Sequence, residues 1–219
     1  MVSTIKLFIF DMGGVVVHNA AVVGLIASSL GIGEDDFFRG AGSDPGAATS
    51  PYHLGDVGAL MRGEIDSHLF WERFTGRTGV NITGDPWYDF FDPVPDGETM
   101  ALISRLKVRG HRVVCGTNTM DAHYRKHQER KDYSVFDEVY ASHAMGIIKP
   151  DEAFWRFILK KEKVRPDETF FIDDLEENIL AAKKLGITSR LFTSAENLTR
   201  CLESRRSTVQ NENNNSERT

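Results

Sequence analysis

Four short segments carry most of the polar groups that could do chemistry. They are Asp11-Met12-Gly13-Gly14, Thr117-Asn118-Thr119, Ser142 with Lys149-Pro150 beyond it, and Asp173-Asp174. Together they offer three carboxylates, three hydroxyls, an amide and an ammonium. Carboxylates can attack, exchange protons or hold a hard cation, and the other groups can receive an anion. Singly, each has a plain structural explanation. An Asp after a strand is a common turn former, and a Lys before Pro is usually a solvated surface residue. What makes the set a candidate site is where the chain puts its members.

The elements that position them are legible from hydrophobic periodicity. Residues Ile5 to Phe10 read as a short buried strand ended by Asp11 and Gly13-Gly14. Arg112–Gly116, Phe136–Ala141, Thr169–Ile172 and Thr188–Phe192 read as further strands. Between them, Glu98–Val108, Asp121–Arg130, a segment opened by Pro150 as an N1 proline and running to about Lys163, and Glu176–Leu185 read as helices. Strands alternating with helices imply a parallel α/β sheet, and open sheets of that kind bind ligands at the carboxyl ends of their strands. Each polar segment follows such a strand.

From about Val16 to Asp92 the texture changes. Ala21–Leu30, His53–Met61 and Ile65–Phe74 are helical patterns, while Gly31–Pro51, rich in Gly, Ser and Asp, reads as loops. Trp87, Phe90 and Phe91 form an aromatic cluster interrupted by Pro93 and Pro95. The expected architecture is a Rossmann-like, doubly wound α/β core, residues 1–15 and 95–202, with a small helical cap, residues 16–94, inserted after the first strand. From Glu203 onward Val209 is the sole strong hydrophobe, so residues 203–219 are expected to be disordered.

Composition narrows the partners. The 219 residues carry 26 Lys+Arg against 32 Asp+Glu, a formal charge of −6, with 41% hydrophobic and 26% charged residues. That is an ordinary globular balance, and no long basic run points to nucleic acid or an anionic membrane. Two cysteines, Cys115 and Cys201, are too few for a disulfide scaffold and fit a reducing compartment. No signal peptide or membrane span is recognisable, so a cytoplasmic location is expected. The oligomeric state is not legible.

Taken together, the segments resemble the four motifs of the haloacid dehalogenase-like superfamily, most of whose members are Mg²⁺-dependent phosphatases. Phe8-Ile9-Phe10-Asp11-Met12-Gly13-Gly14-Val15 resembles the first motif and Val113-Val114-Cys115-Gly116-Thr117-Asn118 the second. Gly146-Ile147-Ile148-Lys149-Pro150-Asp151 with Phe154 matches the third, and Phe170-Phe171-Ile172-Asp173-Asp174 through Asn178 the fourth. The sequence is similar in particular to the glucose-1-phosphatase-like group and the N-terminal phosphatase domain of soluble epoxide hydrolases. This resemblance implies Asp11 as nucleophile toward a small phosphorylated metabolite. It implies Mg²⁺ held by Asp11, the Gly13 carbonyl and Asp174, and Lys149 neutralising the phosphate while Asp173 holds it. Thr117 and the Asn118 amide donate to the phosphoryl oxygens, Asn178 supports the metal shell, and His123 lies with the substrate-binding groups. Cys115 reads as a small buried strand residue, and Trp71, Trp87 and Phe90 as cap core or as a surface for a sugar.

One position departs from the pattern. Most phosphatases of the superfamily place a second aspartate, the general acid and base, two residues after the nucleophile; here that residue is Gly13. Positioned acid–base catalysis contributes about 10²–10⁴-fold. Three readings follow. The leaving group is good enough to need little help, as in a sugar 1-phosphate or an acyl phosphate. Or His18 or His123 replaces the acid. Or the chain binds phosphorylated ligands as a pseudoenzyme without turnover. A metal-free haloacid dehalogenase is the remaining alternative, disfavoured by the extra charge of Asp173-Asp174 beside the nucleophile.

Overall fold

The computed structural model describes residues 4–47 and 50–204. In chain order, β1 (Leu7–Phe10) leads through β2 (Val17–His18) into five helices, α1 (Val23–Ser29), α2 (Glu34–Gly40), α3 (Gly55–Met61), α4 (Ser67–Thr78) and α5 (Pro86–Asp89). The chain returns through β3 (Val94–Pro95) to α6 (Gly97–Val108), β4 (Arg112–Thr117), α7 (Asp121–Arg130), β5 (Glu138–Ala141) and α8 (Ser142–Met145). It finishes with α9 (Glu152–Glu162), β6 (Thr169–Asp173), α10 (Glu176–Lys184), β7 (Thr188–Leu191) and a helix over 195–204. That last helix takes in Glu203 and Ser204, which the sequence places in the disordered tail; the remainder of the tail lies outside the described residues.

Strands β5, β4, β1, β6 and β7 form one parallel sheet in that order. Side chains of a strand alternate between faces, and β1 uses both. Phe8 and Phe10 join Leu102, Ile103 and Leu106 of α6 on one face. Leu7 and Ile9 join Phe154, Trp155 and Ile158 of α9 and Ile179 of α10 on the other. This is why the β1 sequence is a continuous apolar run, and it makes the core doubly wound. The chain moves outward from β1 to β4 and β5, then returns to β6 on β1's other side. The direction reverses between β1 and β6, the place where such sheets open a crevice at their carboxyl edge.

Helices α1 to α5 bury a separate apolar core built on Phe37, Phe70, Phe74 and Trp87. The two chain segments that enter and leave this helical insert pair antiparallel, Val17 with Pro95 and His18 with Val94. Asp96 then caps α6 by accepting from Thr99 N–H at 2.8 Å.

Three local readings are corrected. Gly31–Pro51 is not all loop, because α2 lies within it. Glu34, Asp35 and Asp36 occupy its first turn, where negative charge suits the helix N-terminus, and Phe37 and Phe38 are buried. Pro150 does not open α9. Asp151 is the cap, its carboxylate accepting from Ala153 N–H at 2.9 Å, and the helix starts at Glu152. The strand expected over Phe136–Ala141 starts at Glu138, and α8 follows it directly.

Candidate active site

Asp11 is the first residue beyond β1 and Asp173 the last of β6, so the crevice between these strands starts with two carboxylates. The Asp11 N–H donates to the Ile172 carbonyl at 2.9 Å, fixing one strand end against the other. Between them lies Lys149, 1% exposed, its Nζ 2.8 Å from Asp11 Oδ1 and 2.7 Å from Asp173 Oδ2. Burial alone would drive an ammonium toward its neutral form, but the two carboxylates hold Lys149 well above its usual pKa. Burial pushes Asp11 up to about 7; Lys149 opposes this, and Asp173 and Asp174 add to it.

Both oxygens of Asp173 are committed. Oδ2 takes Lys149, and Oδ1 accepts from Leu175 N–H at 2.9 Å and Asn178 Nδ2 at 3.0 Å. The Asp173 carboxylate thus shapes the turn after β6 and aims Lys149. Asp174, exposed, is left open, and burial of its surroundings together with Asp173 raises its pKa. Gly14 lies directly under it. With φ at +72° any side chain there is strained, and a Cβ would sit 2.1 Å from Asp174 Oδ2 and displace that carboxylate.

Three observations bear on whether a divalent cation fits here. Asp11, Asp173 and Asp174 each bring an oxygen within 4.8 Å of the others. Three carboxylates against one ammonium leave two negative charges uncompensated, which a divalent ion matches. The Asn178 Oδ1 is buried without a hydrogen-bond partner, an acceptor suited to water carried by such an ion. The residues fit the group. Since Asp173 is occupied by Lys149 and its own turn, Asp11 and Asp174 are the carboxylates free to hold it.

In the second segment, Thr117, 4% exposed, ends β4 with its hydroxyl held only by a 3.4 Å contact to the Asn118 carbonyl, so it remains a donor for a ligand. The Asn118 side chain also braces the lysine loop: its Nδ2 donates to the Lys149 carbonyl at 2.9 Å and its Oδ1 accepts from Lys149 N–H at 2.8 Å. Ser142, just beyond β5, has a similar bracing role, accepting from Thr119 N–H at 2.9 Å and donating to Thr119 O at 3.0 Å.

The two histidines that could stand in for the missing acid are held differently. His18 is 52% exposed and pairs with Asp96 at 3.1 Å on the hinge between the insert and the core. His123 lies stacked on Phe91, centroids 3.8 Å apart, and burial lowers its pKa to about 3, so at neutral pH it is the neutral imidazole, a weak acid whose ring also meets the Trp87 backbone. A Cβ on Gly13 would stand 3.2 Å from Ala20 Cβ, a tight contact that would need the Ala20 side to give way by a few tenths of an ångström. Cys115 is fully buried in β4 and burial raises its pKa, so it is inert. Trp71 and Trp87 are buried cap residues; Phe90 is the exposed one.

Sequence reasoning did not single out the cap residues that face this region. Val22, Val23, Tyr52 and Met61 border a cavity of about 250 Å³ whose floor includes Met12, Gly13, Thr117 and Asn118. No local pattern separates such residues from the apolar core beside them. His53 is a second omission; burial lowers its pKa, and the charges of Glu177, Arg62 and Lys149 all act on it.

A doubly wound sheet with catalytic-type carboxylates at its switch point and a helical insert after the first strand defines a capped, Rossmann-like hydrolase architecture. The profile of the haloacid dehalogenase-like hydrolases matches residues 5–186, and the chain belongs to that family. Relatives over nearly the whole length include a sesquiterpene phosphatase of Aspergillus oryzae, 29% identical over 94% of this chain and 97% of its own. A D-ribitol-5-phosphate phosphatase of Bacteroides thetaiotaomicron is 28% identical over 83% of this chain and 89% of its own. Among solved structures, a family enzyme of Bacteroides thetaiotaomicron in complex with magnesium and inorganic phosphate superposes with a TM-score of 0.68 at 22% identity, covering 86% of this chain and 94% of that one. A predicted hydrolase of Porphyromonas gingivalis gives 0.73 at 24% identity, covering 91% and 98%. The last two likenesses bear on the fold. No helix among the described residues is long and apolar enough to cross a membrane.

Proposed function

We propose that the chain is a Mg²⁺-dependent phosphomonoester hydrolase acting on a small phosphorylated organic molecule through an aspartyl-phosphate on Asp11. The Asp11 oxygen not paired with Lys149 forms a bond to phosphorus as the ester P–O bond breaks and the alcohol oxygen leaves; water then hydrolyses the acyl phosphate. Lys149 keeps Asp11 oriented and offers positive charge to the phosphoryl oxygens, and the Thr117 hydroxyl donates to them. Asp11, Asp174 and the Gly13 carbonyl would hold the cation, which supplies Lewis-acid neutralisation of the phosphoryl charge. The observation that carries this reading is the Lys149 bridge from Asp11 to Asp173, with Asp174 left open beside it. The relatives named as phosphatases of a sesquiterpene and of D-ribitol 5-phosphate support a phosphate ester, and they differ in its organic part.

The absence of an acid at position 13 favours esters with good leaving groups. A phosphate-binding protein without turnover is the second reading, favoured by the same glycine. A panel of phosphomonoesters assayed with and without Mg²⁺, for wild type and Asp11→Asn, separates the two. Metal-dependent phosphate release lost in the variant supports the enzyme. Binding of phosphate esters with no release supports the second reading, and halide release from a haloacid without metal would overturn both.

A further inference from the structure

The cavity above the site is apolar to a degree the phosphoryl chemistry does not require. Its walls come from Val22 at the cap of α1 and Val23 of its first turn, Met61 of α3, Met120, and the rings of Trp87 and Phe91. Among the described residues that line it, none is Asp, Glu, Lys or Arg. The floor, formed by Met12, Gly13 and Thr117, adjoins the nucleophile, so whatever is esterified to the phosphate extends into this space.

The polar groups of the lining are few and mostly engaged. His127 Nδ1 is paired with Asp132 at 2.8 Å and the Asn118 carboxamide with the Lys149 backbone. The Trp87 Nε1 and His123 Nε2 have no partner among the described residues but are themselves buried away from the open space. That leaves the hydroxyls of Tyr52, Thr117 and Thr119, and Thr117 belongs to the phosphoryl end. A polyol or sugar brings a hydroxyl on nearly every carbon, more than these groups can pair.

We propose that the site selects phosphate esters of a predominantly hydrocarbon alcohol, filling the cavity between α1, α3 and α5. This rests on the phosphatase reading of the site and names its substrate class. At roughly 30 Å³ per water-sized unit of liquid, the about 250 Å³ available fits on the order of ten non-hydrogen atoms, enough for a short isoprenoid or alkyl chain.

The test pairs turnover with binding. Hydrolysis of geranyl monophosphate and decyl phosphate is compared with that of ribitol 5-phosphate and glucose 1-phosphate, in Mg²⁺. Calorimetry with decylphosphonate, which cannot be hydrolysed, reports binding independently. The expected result is a KM at least about tenfold lower for the hydrocarbon esters, since KM reports the fit to the cavity while kcat follows the leaving group, and decylphosphonate binding with a negative heat-capacity change. Met61→Gln, at a half-buried position, and Val23→Asp should each weaken decylphosphonate binding about tenfold or more; the first serves if the second does not fold. An equal or lower KM for the polyol esters overturns the proposal while the phosphatase reading stands. Decylphosphonate binding without turnover of any ester supports the cavity assignment and overturns the phosphatase reading. Neither binding nor turnover overturns both.

Discussion

The Lys149 ammonium stands between Asp11 and Asp173, 2.8 Å from one carboxylate and 2.7 Å from the other, at the point where the sheet reverses direction. It is held there by the Asn118 side chain, which grips both the N–H and the carbonyl of Lys149. A buried ion pair is a poor source of net stability, but removing one partner leaves the others uncompensated. Lys149→Met should therefore destabilise the fold by about 3–5 kcal/mol, read as a lower urea midpoint with an unchanged slope. A loss below about 1 kcal/mol would show that the ammonium does not carry the pairing.

Magnesium should bind the folded chain and raise its melting temperature. At a hundredfold excess over its dissociation constant the stabilisation is about 2.7 kcal/mol. Asp174→Asn should remove that increment, because Asp174 is the carboxylate with no other commitment. A thermal-shift titration checks this without reference to activity. An unchanged magnesium response in the variant would move the cation elsewhere.

With glycine at position 13, leaving groups should depart without proton donation. Rates across a series of aryl phosphates should then fall steeply as the leaving-group pKa rises. Gly13→Asp alone is crowded by Ala20 at 3.2 Å, but Gly13→Asp with Ala20→Gly makes room for a carboxyl. That double variant should flatten the leaving-group dependence and speed the poorest leaving groups by about 10²-fold. A shallow dependence in the wild type would mean that a proton donor is already in place.

Acid should destabilise the protein through its buried histidines. His123 falls from 6.5 to about 3 on folding. Below pH 6.5 the unfolded chain takes up this proton and the folded chain does not, so stability drops by about 1.4 kcal/mol per pH unit from this group. The loss ends near pH 3, and above 6.5 the group has no effect. His53, His127 and His143 are lowered as well and add to the slope. His123→Phe, which keeps a ring against Phe91, should reduce the slope of stability against pH between 6 and 4 by up to one proton. An unchanged slope would mean that the histidine is protonated in the folded state.

How much of this was legible in the sequence depends on which force placed each residue. The core strands showed because burial on both faces demands apolar runs such as Leu7–Phe10 and Val113–Cys115. The site showed because its polar residues follow those runs directly. Helix α2 did not, since its glycine and acidic residues have loop composition and only Phe37 and Phe38 reveal its buried side. The engagement of the Asn118 carboxamide was invisible because its partner is backbone 31 residues away. The cavity was hidden for a different reason: Val23, Met61 and Trp87 have the same residue types whether they touch a neighbour or line a space.

The most direct measurement of the central claim is chemical. Turnover of a hydrocarbon phosphate ester in Mg²⁺ is quenched in acid and the peptides are analysed by mass spectrometry. The account predicts one phosphoryl group on the peptide containing Asp11, present during turnover, absent once substrate is exhausted and absent throughout in Asp11→Asn. Phosphate release that proceeds at wild-type rate in Asp11→Asn, or a phosphoryl group found on any other residue, would contradict it.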